Sequence, residues 1–325
     1  MNNKDKYSLF CEKTYVPVFS KPWWMDAVCG DEGWDVFLYE KSGEICSAMP
    51  FYVTKRNGYR LITKAPNTQN NGIIFCYPEG QRLSAQLSFQ EKCIEKTCDF
   101  IESLGIDKYE QQFHYSFQNW LPFFWRKYKE ITRYTYVIDA RKPMEEIEAA
   151  YTSSARNHIR KAQKEVRCYV DHITIKNFFY MNEKSFRRQG MEIPYSLQYL
   201  ERLYDAAKRN HACRILSAED QIGNIHSVAF LVWDERSVYY LLNGTDPEYK
   251  ASQANFLLIH EAIKFAHEQG LLFDFEGSVI RPIERAFREF GGTPKPYFRI
   301  YKYFNEELFE AEFRKEVNEI RETRG

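Results

Sequence analysis

Val238-Tyr239-Tyr240-Leu241-Leu242-Asn243-Gly244-Thr245-Asp246-Pro247 decides how this chain reads. Its first half is aromatic and aliphatic, which predicts a strand; its second half is polar and turn-forming, which predicts a loop. Upstream, Cys213 to Ala218 and Ser227 to Trp233 are strands joined by the turn Glu219-Asp220-Gln221-Ile222-Gly223-Asn224, so a hairpin comes first. Downstream, Asn255 to Gln269 sets Phe256, Ile259, Ile263 and Ala266 on one helical face, Gly270 ends the helix, and Leu271 to Phe275 returns as a strand.

The first half of the chain has the same order. Asp35 to Glu40 and Ile45 to Thr54 form a hairpin about Lys41-Ser42-Gly43-Glu44, and Tyr59 to Thr63 is the next strand. Lys64 to Gly72 is the polar loop, followed by the short strand Ile73-Ile74-Phe75. Phe89 to Leu104 is the helix, Gly105 its end, and Tyr109 to Phe113 the last strand. Short α/β stretches often look alike, but recurrence of the whole order points to duplication. The expected fold is α/β, with mixed central sheets flanked by helices in two lobes, residues 1–140 and 141–325. A length of 325 residues with 44% hydrophobic side chains suffices for two cores.

Between the halves, Pro143 opens a helix bearing Glu145, Glu146 and Glu148, and Ser153-Ser154 interrupts it. A basic helix follows, Ala155 to Val166. More helix spans Glu183 to Ala207, broken near Gly190 and Pro194, and a charged helix, Glu306 to Glu322, closes the second lobe.

Forty-five basic and 45 acidic residues cancel, which argues against a general nucleic-acid (DNA or other) or membrane coat while leaving room for a local basic patch. The start, Met1 to Lys6, is polar, and no run of about 18 apolar residues occurs, so a cytoplasmic chain without integral membrane contact is expected. Eight cysteines without a Cys-x-x-Cys pair read as mostly buried, reduced thiols. No metal is expected: His260-Glu261 and His267 lack the His-Glu-x-x-His spacing.

Three groups of residues could carry chemistry. Arg156, Arg160 and Lys164 recur every four residues on the basic helix, with Lys161 beside them. Such a row suits phosphate, although most charged helical faces are simply solvated. Asp274 and Glu276, at the end of a strand, share a face if the strand stays regular. One could act as general base, or Asp274 could cap a neighbouring loop. Arg288, in Ala286-Phe287-Arg288-Glu289-Phe290-Gly291-Gly292, could stabilise developing negative charge, or be an ordinary surface arginine. Phe19-Ser20-Lys21-Pro22-Trp23-Trp24 could wall a substrate, though paired tryptophans also suit a core.

Arg156-Asn157-His158-Ile159-Arg160-Lys161-Ala162-Gln163-Lys164 resembles the Arg-x-x-Ile-Arg-Lys-Ala-x-Lys stretch of the Fem-type aminoacyltransferases. Phe273-Asp274-Phe275-Glu276-Gly277 and Phe287-Arg288-Glu289-Phe290-Gly291 are similar to that family's Asp-Phe-x-Gly and Phe-Lys-x-x-Phe-Gly signatures, and the Phe19–Trp24 opening is similar to the start of its first lobe. The resemblance implies a tandem pair of GNAT-like acyl-CoA N-acyltransferase lobes and transfer of an activated acyl or aminoacyl group to an amine acceptor. It further implies a peptidoglycan (cell-wall) precursor as acceptor, a bacterial setting, and aminoacyl-tRNA or an acyl thioester such as acyl-CoA as donor, with no tightly bound cofactor. The donor carbonyl would lie near Tyr240 to Gly244, held by a backbone N–H. The catalytic candidates are then Asp274, Glu276 and Arg288. The substrate- or phosphate-binding candidates are Arg156, Arg160, Lys161, Lys164, Trp23, Asn67, Gln69, Tyr240, Asn243 and Phe287. Two departures stand out: arginine replaces the family's lysine at 288, and Tyr249 to Asn255 has no glycine where coenzyme A pyrophosphate would approach. Two rival readings are a GNAT-fold protein that binds a nucleotide-linked or cell-envelope ligand without chemistry, and an RNA-binding module with a basic stripe through Arg281, Arg285 and Arg299.

Overall fold

The computed structural model describes residues 1–278 and 280–322. In chain order its first elements are α1 (Asn3–Lys13), α2 (Pro22–Cys29), β1 (Trp34–Lys41), β2 (Glu44–Arg56), β3 (Tyr59–Thr63), β4 (Ile74–Phe75), α3 (Leu83–Ser103), β5 (Lys108–Gln112) and α4 (Leu121–Trp125). There follow β6 (Lys129–Ile138), α5 (Met144–Ala149), α6 (Ser153–Glu165), β7 (Arg167–Val170), α7 (Ile175–Arg188), α8 (Leu197–Arg209), β8 (Cys213–Glu219) and β9 (Ile225–Trp233). The last are β10 (Ser237–Thr245), α9 (Ala254–Glu268), β11 (Leu272–Asp274), α10 (Arg281–Glu289), β12 (Thr293–Tyr303) and α11 (Glu306–Glu322). They group into two compact units: residues 1–132 with the chain from Tyr297 on, and residues 133–296.

In the first unit the strand order is β1-β2-β3-β5-β12, with β4 on β2. β1, β2 and β3 pair antiparallel; β3 and β5 pair parallel through Leu61↔Lys108 and Ile62↔Tyr109, with α3 as the crossover. A parallel pair needs such a crossover, and α3 supplies it by burying Ile94, Cys98 and Ile101 against Met49, Phe51, Ile62 and Tyr109. The N-terminal residues, whose polarity gave no helix signal, form α1 because Asn2 and Asp5 make a reciprocal capping box.

The second unit has the order β6-β11-β10-β9-β8-β7. β7 to β10 pair antiparallel, and β10 and β11 pair parallel with α9 as the crossover. α9 buries Leu257, Leu258, Ile259, Ala262, Ile263 and Ala266 in a core shared with Leu231, Val238, Phe273, Phe275 and Phe290. Hairpin, strand, crossover helix and parallel strand thus succeed one another in each unit, as the duplicated order requires.

Several expectations need correction. The C-terminal strand and helix do not extend the second lobe: β12 pairs with β5 from Arg299↔Gln112 to Tyr303↔Lys108, which puts the chain from Tyr297 in the first unit. Asn243-Gly244-Thr245 is not loop but the end of β10, paired with Ala229, Val228 and Ser227. Gly244 is there for closeness, since a Cβ on it would lie 2.7 Å from the backbone of Met181 and Asn182 in α7. α3 begins at Leu83 rather than Phe89, and Ser153 is not a break, because Thr152 caps α6 through the Ala155 N–H. Only Cys93, Cys98 and Cys213 of the eight cysteines are buried. Among the described residues no helix is long and apolar enough to cross a membrane.

Candidate functional site

In the second unit, β10 and β11 stay together for three pairs, Ser237↔Leu272, Val238↔Phe273 and Tyr239↔Asp274. β11 then ends, while β10 runs on to Thr245 beside β9 alone, so the two parallel strands part at Tyr239 and Asp274. At the parting point β10 is irregular: Tyr240 opposes Leu231 and Leu242 opposes Phe230, leaving Leu241 out of the register. An extra residue of this kind bends a strand and re-aims its backbone groups.

Both arms of the opening are held by side chains. On β10, the edge that β11 gives up is taken over by α7. Asn182 donates its amide to the Asn243 carbonyl, Ser185 Oγ accepts the Thr245 N–H at 2.7 Å, and the Ser185 hydroxyl donates to the Thr245 carbonyl at 3.2 Å. On β11, the chain peels away through a turn written into Asp274-Phe275-Glu276-Gly277. Asp274 Oδ1 accepts the Glu276 N–H at 2.8 Å, and Glu276 and Gly277 are both left-handed, at φ +62° and +73°. A Cβ on Gly277 would meet the Tyr134 carbonyl at 2.2 Å, so only glycine fits.

This turn decides the roles open to the two acids. The strand is not regular to Glu276, so the two carboxylates do not share a strand face. Asp274 is 1% exposed and accepts the Thr135 hydroxyl as well as the Glu276 N–H. Burial pushes its carboxyl up to about 6, against the pull of these two hydrogen bonds. Asp274 therefore caps its own turn, and Glu276, partly exposed, is the acid nearer solvent.

Downstream, the phenylalanines of Phe287-Arg288-Glu289-Phe290-Gly291-Gly292 are core. Phe287, in α10, and Phe290, directly after it, are buried and face Phe275, with ring centroids 4.6 and 6.2 Å away. Gly291 lies so close to Ala150 that a Cβ would reach its Cβ at 2.7 Å. Arg288 is 64% exposed and pairs at 3.5 Å with Glu284, whose other oxygen accepts the Tyr136 hydroxyl. Phe287 is thus a packing residue and Arg288 a surface cation.

The crossover helix starts at the same opening. Its second residue, Asn255, accepts the Tyr240 hydroxyl at 2.8 Å, and the Asn243 amide approaches the same oxygen at 3.5 Å. Burial holds the Tyr240 hydroxyl well above the ordinary tyrosine range. Asn255 was not singled out from the sequence, where an asparagine at a helix start carries no distinguishing mark. The glycine-free stretch before it folds as a 3-10 turn, Pro247–Ser252, and Gln253 takes the left-handed position at φ +60°.

α6 packs along α9, and the ring of His158 lies 4.6 Å from that of Phe256 in the first turn of α9. Ala155, Ile159 and Ala162 are buried, leaving the basic residues outward. They divide in function: Arg156 Nη1 donates to the carbonyls of Tyr151, Glu148 and Ala149, fastening the end of α5. Arg160 reaches only Asn157, at 3.3 Å, and Lys161 and Lys164 have no ion pair among the described residues. Of the stripe proposed for RNA, Arg285 pairs with Glu289, while Arg299 belongs to the first unit and pairs with Glu110.

Trp23, Asn67 and Gln69 also lie in the first unit. Trp23 packs edge-on against Trp24, which is buried and donates to Thr68 at 3.0 Å. Gln69 donates to the Tyr297 hydroxyl at 3.3 Å. In the same loop the Asn67 amide nitrogen and the Asn70 amide oxygen are buried without a hydrogen-bond partner among the described residues, one donor and one acceptor.

Residues 150–281 match the family model of the GNAT acetyltransferase domain. That span holds β10, β11, α6 and α9. In fold the chain is a Fem-like, tandem GNAT-like protein. A crystal structure of FemX superposes with a TM-score of 0.71 at 13% identity, covering 96% of this chain and 98% of that one. L-PGS from Bacillus licheniformis follows with a TM-score of 0.55 at 10% identity over 94% and 92% of the two chains. A tandem GNAT protein from the clavulanic acid biosynthesis pathway, solved without AcCoA, gives 0.51 at 8% identity over 92% of each. No curated protein matches the chain in sequence. The family-model match covers residues 150–281, and the likeness to FemX is one of fold.

Proposed function

We propose that this Fem-like protein transfers an activated acyl or aminoacyl group to an amine at the opening between β10 and β11. The observation that carries the proposal is the parting of a parallel pair at a point where β10 holds an unregistered residue, Leu241. Leu241 stands two residues before Asn243, whose carbonyl, like the N–H of Thr245, faces the open edge. Leu241 has no partner on β9, and its N–H, re-aimed by the bulge, would donate to the oxygen of a donor carbonyl placed there.

In the reaction the amine nitrogen attacks the carbonyl carbon and forms the new C–N bond. Negative charge collects on the carbonyl oxygen, where the Leu241 N–H meets it. Glu276 or a water molecule takes the proton that the amine loses. Collapse of the intermediate breaks the bond from carbon to the donor's oxygen or sulfur, and that atom leaves with the electron pair and is protonated. Arg160, Lys161 and Lys164 would hold the donor's phosphates, whether of aminoacyl-tRNA or of acyl-CoA. Asp274 acts by positioning, keeping the turn that holds Glu276 away from β10.

The burial of Asp274 favours a second reading, in which the opening binds a donor-like ligand without reacting. Incubation of purified protein with aminoacyl-tRNAs or acyl thioesters and a panel of amines, followed by mass spectrometry, separates the two. Amide product that falls on the order of a hundredfold with Glu276→Gln supports the proposal. Donor binding without product supports the second reading, and neither binding nor product refutes both.

A further inference from the structure

We propose that the first unit docks on an anionic phospholipid surface through an aromatic and lysine face built from α4, the turn after it, and the start of α11. The five-residue helix α4 buries Pro122 and Phe123 and turns Leu121, Phe124 and Trp125 outward, 49, 51 and 56% exposed. The chain turns directly after it, with the Lys127 N–H on the Phe124 carbonyl at 2.9 Å. Lys127 and Lys129 then line a cavity of about 610 Å³ whose apolar wall is Tyr301, Phe304 and Phe309. Phe309 is 45% exposed and its ring stacks on that of Phe313, one helical turn on and 56% exposed.

Exposed apolar side chains scattered singly need no explanation, but this many aromatics in one neighbourhood of a single unit do. Tryptophan and phenylalanine flanked by lysine is the composition that favours the headgroup boundary of a bilayer. The charge decides the occupant. Lys302, also in the cavity wall, is paired with Glu102, whereas Lys127 and Lys129 are exposed and have no ion pair among the described residues. Glu306 is the acid in the wall, so with Lys127 and Lys129 the wall keeps one net positive charge, which complements lipid phosphate; Glu307, beside it in the first turn of α11, is not part of the wall. The inference stands apart from the acyl-transfer reading, since none of these residues belongs to the second unit.

The test is sedimentation of the full chain with phosphatidylcholine vesicles, with and without phosphatidylglycerol. The wild type should pellet with the anionic vesicles, and less at high salt. Lys127→Gln combined with Lys129→Gln should weaken partitioning by on the order of thirtyfold, from about a fivefold contribution per lysine. Phe124→Ala with Trp125→Ala should abolish it. Quenching of the wild-type tryptophan fluorescence by brominated phosphatidylglycerol reads the same contact without any substitution. Wild type that stays in solution and is unquenched, or lysine variants that pellet as wild type does, would overturn the proposal. So would a dimer that the Phe124→Ala/Trp125→Ala variant dissolves while vesicles bind neither form, because the face would then belong to a second copy.

Discussion

The two parallel pairs, β3 with β5 and β10 with β11, are the same device used in opposite ways. In the first unit the space past the pair is filled by the chain's own polar loop. The Asn71 N–H donates to the Gln112 carbonyl at 2.9 Å, Gln111 donates to the Asn71 side chain at 3.0 Å, and Gln112 donates to the Gln69 carbonyl at 2.6 Å. Gly72 lets the loop lie on Phe113, whose ring a Cβ would meet at 2.7 Å. In the second unit β10 continues as strand, α7 takes its free edge, and the space between the strands stays open. One order of elements therefore gives a closed pair and an open one, and the loop after the third strand decides which.

Glycine substitutions should break that difference most strongly. Gly244→Ala would drive a methyl into the backbone of α7, which cannot yield as a side chain can. It should destabilise by about 1–3 kcal/mol and lower acyl transfer at least about tenfold, because α7 fixes the open edge. Gly72→Ala, at φ +139°, should cost a similar stability while leaving the transfer rate of the folded fraction near wild type. Denaturant unfolding beside single-turnover kinetics checks both.

The basic helix sharpens the comparison next. Lys161→Glu with Lys164→Glu should raise the donor's dissociation constant by roughly tenfold or more with unchanged unfolding, since both are exposed and without ion pairs among the described residues. Arg156→Ala should instead lower stability by about 1 kcal/mol, because it unfastens the end of α5. A titration of donor binding and a melting curve for each variant separate the two roles.

That division marks where the sequence was legible. Residue spacing showed Arg156, Arg160 and Lys164 on one face, but the α5 carbonyls that engage Arg156 follow from how α5 ends against α6, which no local spacing encodes. The strands of the two repeated orders and the helix α9 were legible because their apolar runs are long and glycine ends them, and α11 through its charge, whereas β6, β7 and β12 were not read as strands. Asn243-Gly244-Thr245 was misread because polar residues with glycine signal a turn, whereas here the glycine admits a helix and the polar groups pair with it. α10 gave no periodic signal over Arg281–Glu289, and its aromatics make sense only against Phe275. The motif Asp274-Phe275-Glu276-Gly277 was visible as a motif, but its left-handed turn, and with it the burial of Asp274, was not.

Asp274 gives a pH test of smaller size. Its carboxyl titrates near 6 in the folded state against about 4 unfolded, so the native protein holds the proton more tightly. Stability from this group is complete below about pH 4 and lost by about pH 6, a change on the order of 2–3 kcal/mol. Asp274→Asn, which keeps an acceptor for Thr135 and for the Glu276 N–H, should flatten that segment of the stability–pH curve. A curve identical to wild type would show that the buried carboxyl does not titrate there. The smallest effect is expected at Arg288. Its exposed pair with Glu284 contributes at most about 0.5 kcal/mol, so Arg288→Ala should melt like wild type. Loss of turnover at unchanged stability in that variant would restore it to the chemistry.

The most direct measurement of the central claim is a crystal structure with a non-hydrolysable acyl donor analogue. The account predicts the analogue's carbonyl oxygen within hydrogen-bonding distance of the Leu241 N–H, between β10 and the turn at Glu276, with its phosphate toward Arg160, Lys161 and Lys164. An analogue bound elsewhere in the chain, with the opening between β10 and β11 empty, would contradict it.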